Sequence, residues 1–211
     1  MENIITTQDD LFKAELDMGQ SMTRAAEKEV MNYREALLVG FSEVRGKHIL
    51  SLNTIKNIQS HLEHNDAGFR SVPGTALKRG DGMVVYMPPQ DPIEIARLMG
   101  NLEQFMNDDT ICGLDPLIKM AIIHHQFESI HPFYDGNGRM GRIVLMLYLV
   151  TSDLLDLPVL YLSRFITHNK SEYYRLLQAV RDKDGDNSAE WISWILFVLR
   201  GVEQTATETI A

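Results

Sequence analysis

Apolar residues recur at spacings of three and four over most of the chain, and that rhythm predicts helices. Residues 22–44 (MTRAAEKEVMNYREALLVGFSEV) carry it with no proline and a single glycine. Ser51 stands where an N-cap belongs for a helix over 52–64. Asp91-Pro92-Ile93-Glu94 is a start signal, with an Asp cap, Pro at the first helical position and an acid beyond it, for a helix running to about Asn107. Asp115-Pro116 repeats the device ahead of LIKMAIIHHQFESI, which is apolar on nearly every side and is predicted to be a central buried helix. Further helices are expected from near Asn137 through RMGRIVLMLYLVTS, over 163–182 and over 188–202. Residues 75–87 break the rhythm. TALKRGDGMVVYM has β-branched residues on its second limb and a turn at Arg79-Gly80-Asp81-Gly82, the pattern of a β-hairpin. The predicted fold is all-α, with one β-hairpin projecting from a helical body.

Composition narrows the class. The 211 residues suffice for one sizeable core, so a single domain is expected over 1–211. Apolar residues at 45% and charged residues at 23% are ordinary for a folded soluble domain. No run of eighteen apolar residues occurs, so no membrane span is expected. The acidic start, MENIITTQDDLFKAELD, does not read as a signal peptide. With the single cysteine, Cys112, this suits a reducing cytoplasm, the expected location. The formal net charge of −9 argues against a chain whose main task is to grip nucleic acid, and so against a DNA-binding regulator. A local basic pocket for a nucleotide is compatible with it.

The chemistry concentrates in residues 131–142, His-Pro-Phe-Tyr-Asp-Gly-Asn-Gly-Arg-Met-Gly-Arg. A buried helix should end near Ile130 and a new one begin beyond two glycines. The first turn of that helix presents N–H groups with no partner inside the helix, and with the helix dipole they make an anion site. Arg139 and Arg142, three apart, share a face where guanidinium groups can clamp phosphate oxygens. Asp135 supplies a hard oxygen of the kind Mg²⁺ uses alongside substrate phosphates. His131 is suited to accept a proton near neutral pH. Base, metal ligand, anion nest and arginine clamp together outline a phosphate-transfer site.

The segment resembles the signature of the Fic family, His-x-Phe-x-(Asp/Glu)-Gly-Asn-Gly-Arg-x-x-Arg, at every fixed position. An accidental match is on the order of 10⁻¹⁰ per starting point. Gly68-Phe69-Arg70, the hairpin end Tyr86-Met87-Pro88-Pro89 and the Tyr173-Tyr174 pair are similar to further family landmarks. The resemblance implies a Fic-type helical bundle with a hairpin flap, and a protein adenylyltransferase that moves AMP from Mg-ATP to a Ser, Thr or Tyr hydroxyl of a target protein and releases pyrophosphate. It implies His131 as base and Asp135 as the Mg²⁺ ligand. Asn137 with the backbone of Gly136 and Gly138 would form the anion nest, Arg139 would hold the β-phosphate and Arg142 the γ-phosphate. Met140 and Gly141 fall inside the same nucleotide-binding stretch, and Phe133 should be buried as the loop's anchor. Tyr173 and Tyr174 would border the adenosine, with Asn169 and Arg181 nearby. Met83, Val84, Val85 and Tyr86 would be the flap limb that pairs with the target backbone.

Many members carry a self-inhibiting pattern, (Ser/Thr)-x-x-x-Glu-(Gly/Asn), whose glutamate engages the second arginine of the signature. Met1-Glu2-Asn3 is similar to its tail, which implies that residues 1–17 are a remnant of the inhibitory region and that Glu2 pairs with Arg142. The alternatives are removal of AMP from a modified protein, transfer from another nucleotide donor such as UTP or CDP-choline, and a non-enzymatic peptide-binding adaptor. A homodimer would also follow the habit of relatives. Elsewhere the simpler readings hold. His124-His125 is expected to pack within its helix, and His61-Leu62-Glu63-His64 has the wrong order for a zinc protease. The run Asp182-Lys183-Asp184-Gly185-Asp186 is expected to be a solvated turn, since it lacks a calcium loop's glycine and closing glutamate.

Overall fold

The structure, a computed structural model, describes residues 24–182 and 186–210. The expected remnant at 1–17 and Glu2 within it lie outside the described residues. Eight helices are found among the described residues: α1 (Arg24–Val44), α2 (Leu52–Glu63), α3 (Pro92–Asn107), α4 (Pro116–Ile130), α5 (Asn137–Thr151), α6 (Leu162–His168), α7 (Lys170–Asp182) and α8 (Ser188–Ile210). A two-stranded antiparallel hairpin, β1 (Leu77–Lys78) and β2 (Val84–Tyr86), separates α2 from α3. The all-α fold with one hairpin is as the sequence predicts.

The caps act as read. Ser51 Oγ accepts the Thr54 N–H at 3.1 Å, Asp91 Oδ1 the Ile93 N–H at 3.0 Å, and Asp115 Oδ1 the Leu117 N–H at 2.8 Å. Two boundaries differ from expectation. The helix expected over 163–182 is broken at Asn169, whose side-chain amide donates to the Phe165 carbonyl at 2.9 Å while its own carbonyl accepts the Tyr173 N–H. A polar side chain that bonds the backbone competes with helix continuation, and α7 begins anew at Lys170. The last helix runs to Ile210 rather than to about 202. It passes through Gly201, where a Cβ would lie 2.6 Å from the Phe165 ring, so this glycine is a packing point between α6 and α8.

Helices α4 and α5 form the centre. Every residue of α5 from Asn137 to Leu149 is buried, which is why it lacks a polar face. α1 and α2 pack on one side of it, α3 lies on α4, and α8 crosses α4 and α7. Trp194 of α8, wholly buried, donates its indole N–H to the Ala121 carbonyl of α4 at 2.8 Å. No helix of the described residues is long and apolar enough to cross a membrane.

The turn from α4 to α5 decides where the motif goes. α4 ends as His131 adopts the left-handed conformation (φ 50°, ψ 60°), its N–H still bonded to the Phe127 carbonyl at 2.9 Å. Glycine is the usual residue there, and a side chain costs about 1–2 kcal/mol. Arg70, only 1% exposed, offsets that cost. Its Nε donates to the His131 carbonyl at 2.6 Å, and its Nη2 to the carbonyls of Pro89 at 2.5 Å and Ile130 at 3.2 Å. Its backbone N–H donates to the Pro132 carbonyl at 2.8 Å. One guanidinium thus satisfies carbonyls that the end of a helix leaves open. Replacing Arg70 by Met removes three charge-assisted bonds and strands buried carbonyls, so urea unfolding should show a loss of at least about 3 kcal/mol. Lysine should not restore it, because an ammonium lacks the fork that spans these three acceptors.

Candidate active site

The loop between α4 and α5 is closed on itself before any ligand is considered. Asn137 Oδ1 accepts the Phe133 N–H and Asn137 Nδ2 donates to the Phe133 carbonyl, both at 2.9 Å. The Phe133 ring is wholly buried beside Phe69 and Phe127. Both ends of the Asn137 side chain are therefore engaged, and what Asn137 offers a ligand is its backbone N–H. Gly136 is the N-cap of α5, at φ 74°, and its N–H bonds Asp135 Oδ1 at 2.6 Å. That conformation suits glycine.

A cavity of about 780 Å³ opens over this turn. His131, Asp135, Gly136, Asn137, Gly138, Arg139 and Arg142 form one wall, and Tyr173, Tyr174 and Arg181 of α7 form another. Leu77, Lys78, Arg79 and Val85 of the hairpin border its mouth. Two residues from the expected set stand elsewhere: Met140 is wholly buried in the apolar core, and neither it nor Gly141 lines the cavity. Gly141 instead lets α4 approach, since a Cβ there would meet Glu128 Oε1 at 2.7 Å.

Arg139 and Arg142 are 6% and 4% exposed, an unusual depth for cations. Arg139 Nη2 pairs with Glu63 Oε1 at 2.7 Å, and Asp135 Oδ1 lies 4.0 Å from the same nitrogen. Asp135 keeps a side chain half exposed to the cavity. Glu63 and Glu128 escaped the sequence reading. Glu63 ends a helix far away in the chain, and Glu128 looked like part of an apolar run; only the fold brings Glu63 to Arg139 and Glu128 beside Gly141 and His131.

His131 is buried, and burial pushes it from 6.5 down to about 4. The Glu128 carboxylate works in the opposite direction, and the charges of Arg70 and Arg181 lower it further. The imidazole is thus unprotonated at neutral pH and able to accept a proton. His124 and His125 are also buried, held down to about 3 and about 4, chiefly by burial. His124 Nε2 shares a hydrogen bond of 2.9 Å with the Tyr173 hydroxyl, and His125 packs against Trp191 and Trp194. The pair fills the core, as read. Tyr173 meets Tyr174 edge-on, with ring centroids 5.1 Å apart.

The hairpin is irregular. Leu77 pairs with Tyr86 and Lys78 with Val84, so Val85 is an extra residue in a bulge, and it is the β2 residue that reaches the cavity. Met83 and Val84 are exposed. A clasp ties β2 to the body. The Tyr86 hydroxyl donates to the Ser129 carbonyl at 3.0 Å, Arg181 Nε donates to Ser129 Oγ at 2.9 Å, and the Arg181 guanidinium lies 4.0 Å from the Tyr86 ring centre. Arg181, named from sequence only as a neighbour of the tyrosines, thereby joins the flap to the end of α4.

Comparison with known proteins places the chain in one family. Residues 49–149 match the model of the Fic/DOC family, and residues 1–42 that of the Fic/DOC family N-terminal region. The chain is similar to the protein adenylyltransferase Fic of Drosophila erecta, 28% identical over 154 residues, covering 73% of this chain and 28% of that protein. It spans less than a third of the curated relatives it matches. A solved structure of a Fic family protein from Desulfovibrio desulfuricans superposes with a TM-score of 0.74 at 23% identity, over 96% of this chain and 58% of the other. A structure of IbpAFic2 covalently tethered to Cdc42 superposes at 0.57 and 15%, over 95% and 64%. These superpositions show the fold.

Two predictions follow from the site's burial and its clasp. The three depressed histidines stay neutral in the folded protein while the unfolded chain takes up protons below pH 6.5. Stability is therefore complete above pH 6.5 and falls as the pH drops toward 4. Between pH 7 and pH 5 each histidine should remove about 2 kcal/mol, read as a falling urea midpoint. His125→Gln should shrink the drop. For the clasp, Tyr86→Ala and Arg181→Ala should each speed hydrogen exchange across residues 77–86, with α4 and α5 unchanged.

Proposed function

Because the chain belongs to the Fic/DOC family, we propose that it is a protein adenylyltransferase, transferring AMP from ATP to a serine, threonine or tyrosine hydroxyl of a target protein and releasing pyrophosphate. The observation that carries this reading is one cavity wall holding a neutral histidine, a half-exposed carboxylate, the N-terminus of a buried helix and two buried arginines. That inventory matches phosphoryl chemistry, where positioning and charge stabilisation do most of the work.

His131 takes the proton of the target hydroxyl as that oxygen attacks the α-phosphorus; the bond from the α-phosphorus to the bridging oxygen breaks and pyrophosphate leaves. The N–H groups at the start of α5 hold phosphate oxygens, and Arg139 and Arg142 hold the phosphates beyond the α. Tyr173 and Tyr174 border the adenosine from α7. The half-exposed carboxylate of Asp135 at the cavity wall fits a Mg²⁺ ion bound together with substrate phosphates. Such an ion would offset charge on the phosphate oxygens. Strand β2, with exposed Met83 and Val84 on its limb, gives the target segment an edge to pair with. The neighbour solved while tethered to another protein supports this use of the fold.

The test is intact-protein mass spectrometry after incubation with ATP and Mg²⁺, using the chain as its own acceptor and a panel of peptides beside it. One added AMP mass is expected in the unaltered chain. In His131→Ala the rate should fall by about 10²- to 10⁴-fold, as loss of a general base predicts. ATP binding with no transfer to any acceptor would leave the adaptor reading in its place.

A further inference from the structure

Glu63 has no role in the reaction just described, yet its carboxylate touches two residues of the candidate phosphate seat, Arg139 and Gly136. It is the last residue of α2, and its Oε1 lies 2.7 Å from Arg139 Nη2, with side chains 13% and 7% exposed. The same oxygen would lie 2.2 Å from a Cβ placed on Gly136. The carboxylate therefore rests directly against the glycine that opens α5, as well as on the first arginine of the motif.

What draws a carboxylate there would draw a phosphate. The N–H groups of the first helical turn, the helix dipole and a buried guanidinium all favour an anion at one spot. Two anions cannot share that spot, because like charges a few ångströms apart in a partly buried site repel strongly. We infer that Glu63 holds the place of a donor phosphate and so sets which anions the site accepts. A ligand with a phosphate at Arg139 must first displace Glu63, whereas one that stops at the α-phosphate need not.

The consequence is selectivity. Weakly charged anions gain too little at this seat to move a carboxylate already paired there. A polyphosphate chain brings more charge and more acceptor oxygens, so it can. This places Glu63 among the residues that determine donor specificity, and it rests on the reading of α5's N-terminus as the phosphate seat. The rival role, a brace that holds Arg139 ready for its ligand, predicts the opposite sign. Removing a brace weakens binding; removing a competitor strengthens it.

The experiment is isothermal titration of the unaltered chain and Glu63→Gln with pyrophosphate, ATP and AMP. Glu63→Gln should bind pyrophosphate and ATP about tenfold tighter or more, a change of about 1.4 kcal/mol or above, with AMP within about twofold. Glu63→Ala, checked for folding by thermal melting, should show the same order. Equal or weaker binding of pyrophosphate and ATP by both variants overturns the inference, as does an equal gain for all three ligands. So does absence of binding to either protein. If pyrophosphate gains while ATP binds neither protein, the inference stands and the adenylyltransferase reading falls. If His131-dependent AMP transfer occurs without any gain in Glu63→Gln, the reading stands and the inference falls.

Discussion

The geometry of the site depends on one unfavourable backbone conformation, the left-handed turn at His131. A helix that stops on a non-glycine residue in this region needs external support, and here a single buried guanidinium supplies it through the carbonyls of Ile130 and His131. Because Arg70 also binds the Pro89 carbonyl, the same contact fixes the chain entering α3 and the segment just before the hairpin. The direction in which α4 ends determines where α5 starts. Asn137 then locks the loop between them through both ends of its amide. The motif is thus held by hydrogen bonds that make no use of a ligand, which is the condition for a site whose electrostatics are set in advance.

Charge is the second constraint. A chain of net charge −9 keeps two arginines almost wholly inside its central helix. Buried cations are costly unless compensated, and unpaired ones are strongly destabilising. Glu63 compensates Arg139 from α2, and Glu128 reaches α5 where Gly141 leaves space for it. On the proposed reading, the carboxylate that compensates Arg139 is the one a polyphosphate would have to displace. Stability of the ligand-free fold and affinity for the ligand draw on the same guanidinium groups, so neither can be adjusted alone.

Much of this was legible in the sequence because it rests on local rules. Asp91-Pro92 and Asp115-Pro116 announce helix starts through side-chain caps three residues long, and the run 117–130 announces its burial by having no polar face. The motif announces its own chemistry within twelve consecutive positions. What was hidden depends on distant pairs. Arg70 is marked in the sequence only as part of a landmark, Gly68-Phe69-Arg70, and only the fold surrounds it with the carbonyls of residues 61 and 60 positions away. Glu63 looks like a helix-end acid in an unremarkable His-Leu-Glu-His run. Met140 sits between two cavity arginines, yet helical geometry turns it into the core. The break at Asn169 follows from one amide choosing a backbone partner over solvent, a choice that periodicity does not encode.

The clasp at Ser129 links the flap to the helix that carries the tyrosine pair. Ser129 lies two positions before His131 on α4, and it receives Tyr86 from the flap and Arg181 from the end of α7. The flap strand and the helix carrying the tyrosine pair are thus referenced to the same turn of backbone as His131. A shift of α7 changes where Arg181 sits under the Tyr86 ring, and a shift of the flap changes what Arg181 packs against. A target segment laid along β2 and a nucleotide laid against α7 would each press on one side of this contact. Transfer between them requires the attacking oxygen, the phosphorus and the imidazole to meet within bonding reach. On the proposed reading, tying these supports to Ser129 and the residues just after it keeps those distances set by α4 rather than by the hairpin.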